Sequence, residues 1–154
     1  MSDQQLDAWL LPVADNVTIA IGRYELKYIE HVTAGDLKAP LQGVRDFFWR
    51  GRYIPVLDVA ALAGVETLLP VAGECIVAIV AYEDLAGNLL MGAIFLVDVP
   101  QMIHILPSQN VAVESMPHPW PQLAHAAFSY HQRDYPVLNL SALFVNQRIE
   151  RRVH

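Results

Sequence analysis

This sequence predicts a mainly β fold in which two related β subdomains pack side by side, with short helices between strands. Three observations carry that reading. Apolar segments of strand length recur along the chain, bounded by Gly, Pro, Asn and Asp. A segment of strand-plus-helix character occurs twice, 81 residues apart. The chain is also unusually apolar, with 54% hydrophobic and 17% charged residues over a length of 154, where soluble domains usually carry about 45–50% and about 25%. Such an excess implies sheets buried on both faces, or apolar surface reserved for a partner.

The elements follow in order. Leu6–Val13 is an apolar strand, and Pro12 places it near an end or on an edge. Asp15-Asn16 is a turn signal, after which Val17, Ile19 and Ile21 alternate with Thr18, Ala20 and Gly22. Tyr24–Val32 fits a strand first and a short helix second, closed by Ala34-Gly35-Asp36. Aromatic Phe47–Trp49 runs into a turn at Arg50-Gly51-Arg52, and Tyr53–Val59 is a strand in which Pro55 implies an edge or a bulge. Asp58 is a suitable N-cap for a short helix ending at Gly64. Glu74–Tyr82 is almost continuously apolar, as expected of a strand buried on both faces. Glu83–Asn88 is a hairpin turn into the return strand Leu89–Val97, and Gln101–Leu106 is a further strand candidate. Pro107–Pro121 holds four of the ten prolines and is expected to be a long loop. Ala126–Tyr130 and Tyr135–Leu140 form a last hairpin around Gln132-Arg133-Asp134, and Ser141–Val153 is a terminal helix.

The repeat aligns Arg52–Leu62 with Arg133–Leu143, identical at six of eleven positions. Its structural residues are Pro55, Asp58 and Leu62 in one copy and Pro136, Asn139 and Leu143 in the other. Each copy is a basic turn feeding a Pro-containing strand that passes through an Asx cap into a short helix. A single pair of copies argues against a solenoid and for one domain, residues 1–154, with two interleaved subdomains.

Several function classes are excluded as expectations. The longest apolar runs fall short of the roughly 20 residues of a spanning helix, and Ala8–Ala14 lies between Asp7 and Asp15 without the basic flank of a signal peptide. Cys75 is the single cysteine, so no intrachain disulfide forms and a cytoplasmic home is the simple expectation. A net charge of −6 with its one basic cluster at Arg148, Arg151 and Arg152 is not a nucleic-acid footprint. His104, His118, His125 and His131 show no zinc spacing. Ser129 and Ser141 lack a nucleophile elbow, and the glycines are scattered singly. No catalytic residue, metal or cofactor is expected. Pro117-His118-Pro119-Trp120-Pro121 either wraps the surface in extended form or offers a polyproline ligand.

The segment Phe48-Trp49-Arg50-Gly51-Arg52-Tyr53-Ile54-Pro55-Val56-Leu57-Asp58-Val59-Ala60-Ala61-Leu62 resembles the CheW-like domain of bacterial chemosensory systems. That family shows an apolar segment, an Arg-Gly turn, a strand of the type Pro-Val-x-Asp and a short Leu-containing helix. Ala8–Ile29, Met91–Ile105 and Ala126–Leu143 resemble further family segments in the same order, so the likeness runs from about residue 6 to residue 145. The Trp49 form of the turn is similar to CheW-like proteins of pilus-type clusters. Two departures stand out: Asp46 occupies a position usually held by Gly, and Gly92 and Asp98 are two residues further apart than in the family's Gly-x-x-Val-Asp.

The resemblance implies two packed five-stranded, SH3-like β barrels and a non-enzymatic adaptor or scaffold protein of chemotaxis and two-component signal transduction. Its partners would be the regulatory domain of a CheA-type histidine kinase, met at the barrel ends, and the helical tip of a methyl-accepting chemoreceptor, laid in a groove between the barrels. Recruitment to membrane receptor arrays without membrane insertion follows, and weak self-association through a barrel end is a further expectation. Phe47, Phe48, Trp49, Arg50, Gly51 and Arg52 are the candidate partner-binding residues. Consecutive aromatics cannot all face one side of a strand, so two of the three are assigned to core and one to an interface. Arg50 pairs with a partner carboxylate or holds its own turn through backbone carbonyls, and both can hold. Arg52 and Arg133 are expected to end their strands in solvent. The competing class is a small β barrel that binds an apolar ligand or carries an enzyme site without a recognisable motif.

Overall fold

The computed structural model describes residues 6–33, 44–64 and 74–145. Among the described residues the alternating apolar segments form eleven strands: β1 (Leu6–Ala14), β2 (Val17–Gly22), β3 (Leu26–Thr33), β4 (Val44–Trp49), β5 (Arg52–Leu57), β6 (Glu74–Glu83), β7 (Leu89–Leu96), β8 (Gln101–Ile105), β9 (Asn110–Val111), β10 (Ala124–Tyr130) and β11 (Arg133–Leu138). Helices are single turns at α1 (Val59–Leu62) and α2 (Trp120–Leu123), plus α3 over 140–145. Two curled sheets result. One has the order β8-β1-β2-β11-β10-β9 and the other β3-β6-β7-β5-β4. The first therefore has six strands where five were expected, because the two-residue β9 adds to β10 through Ala127 and Phe128.

Period-two alternation explains how two sheets make three cores. On β6, Cys75, Val77 and Ile79 point into the five-stranded half-barrel, with Phe47, Ile54, Val56, Ala93 and Phe95. Ala78, Val80 and Tyr82 of the same strand point the other way, into a central layer shared with Leu11, Ile19 and Ile21 of the six-stranded sheet. Ala8, Leu10, Ala20, Ile103 and Phe128 fill the interior of that sheet. The apolar run Glu74–Tyr82 is thus buried on both faces, as its composition predicts. Fully burying one such aliphatic side chain stabilises the fold by about 1.5–3 kcal/mol.

The prolines occupy sites where a missing N–H is tolerated, though not by the simple edge rule. β5 and β11 are interior strands, but each meets its parallel neighbour only beyond its proline: Val56 and Leu57 pair with β7, and Val137 pairs with β2. Pro12 adjoins a register shift in the β1–β2 ladder.

Several boundaries differ from the sequence reading. The last hairpin turns at His131-Gln132, so Arg133 and Asp134 already belong to β11. Positions 107–121 are not a plain loop, since they contain 3-10 turns at Pro107–Gln109 and Val113–Ser115, strand β9 and the start of α2. Trp120-Pro121 is helical, which removes the extended polyproline reading of that stretch, because proline at the second helical position needs no N–H donor. The closing turn at 34–36 and the distal part of the terminal helix lie outside the described residues.

Candidate functional site

The β4–β5 hairpin tip gathers the candidate residues by strand geometry alone. Phe47 faces inward and is buried. Phe48 faces outward, 56% exposed, opposite an equally exposed Tyr53. Their rings meet edge to face with centroids 5.0 Å apart. Trp49 turns inward again and packs partly against the half-barrel core. Two aromatics on the core and one in solvent is the division that alternation requires.

The turn itself has both central residues at positive φ, 48° at Arg50 and 88° at Gly51. A two-residue hairpin of the I′ type demands this, and Gly51 meets the demand without steric cost. Arg52 follows as the exposed first residue of β5.

Curling of the sheet then brings the opposite edge strand to this turn. Tyr28 on β3 lies 5.5 Å from Trp49, and Trp49 Nε1 donates a hydrogen bond to Glu30 Oε1 at 3.2 Å. The Arg50 guanidinium rests over both rings, 4.2 Å from Tyr28 and 4.8 Å from Trp49. Aromatic rings, rather than backbone carbonyls, position it. Each contact is worth about 0.5–1 kcal/mol at an exposed site. Among the described residues Arg50 enters no ion pair, so its planar fork can accept a carboxylate in two parallel hydrogen bonds. Tyr28 is itself exposed, as are Ile29 next to it on β3 and Phe48 and Tyr53 on the hairpin. Tyr28 and Glu30 had no sequence signal, since only closure of the sheet places β3 beside β4.

The repeat segments share their local structure. Asp58 Oδ1 accepts from the Ala61 N–H at 3.2 Å, and Asn139 Oδ1 accepts from the Ala142 N–H at 3.1 Å. Pro55 and Pro136 are both buried, and Leu62 and Leu143 both pack on the central layer. The same offset carried backwards pairs Trp49, Arg50 and Gly51 with Tyr130, His131 and Gln132. There the backbone repeats the positive φ values, 50° and 67°, and the His131 ring sits 4.1 Å from Tyr130 as Arg50 sits over Trp49. The sequence reading missed this turn, although an aromatic three residues before each repeat arginine was a signal for it.

Elsewhere, three titratable groups form a small surface cluster. Asp7 bonds His104, its cross-strand partner, and Arg23 Nη1 at 2.7 Å. The His104 hydrogen bond first, and the charges of His104 and Arg23 with it, hold the Asp7 carboxyl below its ordinary range against an opposing desolvation. Among the described residues no group of three His, Cys, Asp or Glu side chains could hold a metal ion. No described helix is long and apolar enough to cross a membrane.

No protein-family model matches this sequence, and no curated protein matches it significantly. Comparison with solved structures gives a different answer. The scaffolding protein TtCheW from Thermoanaerobacter tengcongensis superposes with a TM-score of 0.68 at 13% identity, over 92% of this chain and 93% of that one. The fold is CheW-like. The match spans nearly the whole of both chains.

Proposed function

We propose that this CheW-like protein is a non-enzymatic, cytoplasmic adaptor of a bacterial chemosensory array. It couples methyl-accepting chemoreceptors to a CheA-type histidine kinase by binding the kinase's regulatory domain. The whole chain acts as one domain whose two interleaved halves are related by the 52–62 and 133–143 repeat. The observation that carries this reading is the likeness to a scaffolding protein over nearly the full chain. The Arg50 platform supports it. A guanidinium pre-positioned on Tyr28 and Trp49, on a hairpin that also exposes Phe48 and Tyr53, suits an acidic, amphipathic receptor helix. Filled half-barrel interiors favour an adaptor over a carrier of apolar ligands.

The test measures binding of the purified protein to a receptor-tip fragment and, separately, to a kinase regulatory domain. Phe48→Ala and Arg50→Ala should each weaken receptor binding by about tenfold or more, the cost of removing an interface anchor, and leave kinase binding unchanged. Absence of binding to both partners at about 100 μM, a free energy of roughly −5.5 kcal/mol, would overturn the adaptor assignment.

A further inference from the structure

The β10–β11 turn keeps a strain that its repeat mate relieves. The β4–β5 turn places Gly51 at its second position, but here Gln132 stands there at φ 67°, after His131 at φ 50°. Backbone held in this way persists where its surroundings fix it, and it clusters at binding sites. Gln109 does the fixing. Its Nε2 donates to the Ser129 carbonyl at 2.9 Å, and its Oε1 accepts from the Leu106 N–H at 2.7 Å. The 3-10 turn at Pro107–Gln109 is thereby tied to β10 one residue before Tyr130.

The tip so held carries two basic groups next to one ring. The His131 ring lies 4.1 Å from Tyr130. Arg133 is the cross-strand partner of Tyr130, which sets their Cβ atoms about 4.5–5.5 Å apart on one face. His131 and Arg133 are both exposed, and among the described residues neither enters an ion pair. Asp134, next along β11, pairs with Ser129 on the opposite face. The adjoining 3-10 turn and β9 bring Pro107, Ser108, Gln109, Asn110 and Val111, none of them titratable. At the first tip Glu30 bonds Trp49, whereas the 81-residue offset puts Val111 in the place of Glu30, so the second tip has no carboxylate there.

We propose that the β10–β11 tip is a second docking surface, for a short acidic segment of a partner protein, whose carboxylates pair with Arg133 and with His131 in its imidazolium form. Histidine side chains change charge between about pH 5 and 8, so this surface binds more tightly at the acid end of that range. The Arg50 guanidinium, by contrast, is always charged. Nucleic acid is the poorer fit, because the net charge of −6 opposes its dense phosphates. The proposal does not depend on what the Arg50 tip binds.

The experiment titrates isotope-labelled protein with an end-blocked hexaglutamate peptide, at low salt to limit screening, and follows the amide resonances at about pH 6 and about pH 8. The peptide stays ionised at both, since glutamate ordinarily titrates at about 4.3. Saturable shifts are expected at positions 130–133, with an affinity about tenfold higher at the lower pH, the worth of one charged hydrogen bond. His131→Ala should lose that factor and bind equally at both pH values, and His131→Arg should bind tightly at both. Arg133→Gln should weaken binding about tenfold throughout. Both residues are exposed, so unchanged spectral dispersion checks that the variants fold. Binding at the Arg50 tip reads out separately, at positions 49–52, and should not vary with pH. No saturable shift at 130–133 with about 1 mM peptide, equal affinity at the two pH values, or tighter binding of an oligothymidylate at these positions would overturn the proposal.

Discussion

Substituting Gly92 by Ala tests the packing of the central layer most directly. Gly92 lies on β7 opposite Val80, and a Cβ built there would fall 2.5 Å from Phe144 Cε1 and 2.6 Å from Cζ. Carbon atoms in contact sit about 3.5–4.0 Å apart, so roughly 1 Å of overlap must be relieved. Phe144 cannot yield freely. It is fully buried and stacks on Tyr82 at 4.6 Å with planes 11° apart. Overpacking of this kind costs about 1–3 kcal/mol, and in a domain of this size each kcal/mol lowers Tm by about 2–4 °C. Urea unfolding followed by tryptophan fluorescence measures the loss. The decisive comparison is a double-mutant cycle. Phe144→Ala alone should cost about 3–5 kcal/mol, but in its background Gly92→Ala should cost almost nothing, giving a coupling of about 1–3 kcal/mol. Phe144→Leu provides a milder background for the same cycle. If Gly92→Ala costs as much without the ring as with it, the close-approach argument is wrong.

Other expectations concern the turns, the caps and the surface ion cluster. Gln132→Gly should raise stability by about 0.5–1 kcal/mol in the same urea assay, because a non-Gly residue held at φ 67° carries about 1–3 kcal/mol of strain, partly offset by the extra chain entropy of glycine. Asp58→Ala and Asn139→Ala should each cost about 1 kcal/mol by thermal melting, and nearly equal losses would fit their matching caps. Asp7 has a depressed folded pKa, so its contribution to stability is complete above the ordinary value of 3.8 and vanishes as pH falls through the lower folded value. Asp7→Asn should therefore flatten the acid limb of the stability profile, and an unchanged limb would exclude that linkage.

Strand identity was readable wherever alternation or a two-faced apolar run dictated it, as at β2 and β6. The repeat predicted two caps and two proline-bearing strands because Asx and Pro act locally, through a side-chain oxygen and a missing N–H. Sheet order was not readable. β2 finds β11, and Tyr28 finds Trp49, through pairings made across the chain, and no local preference encodes them. The hairpin at His131-Gln132 was misplaced because Arg133-Asp134 has the composition of a turn, while Gln, unlike Gly or Asn, rarely adopts positive φ. The site was half legible. The arginine and its flanking aromatics stood together in the sequence, but the ring and carboxylate that hold them come from the far edge.

The order of the strands also sets a timetable. All five strands of one sheet lie between residues 26 and 96, so they can close as soon as that stretch leaves the ribosome. The other sheet takes β1 and β2 from the beginning of the chain and β8 to β11 from its last third. Its opening strands are synthesised first and completed last, with β2 waiting for β11 on one side. Pairing over that separation is slow and leaves a bare strand edge in the meantime. Nascent chains halted before residue 133 should expose that edge, which makes the first-made strands the part of this protein most dependent on chaperones.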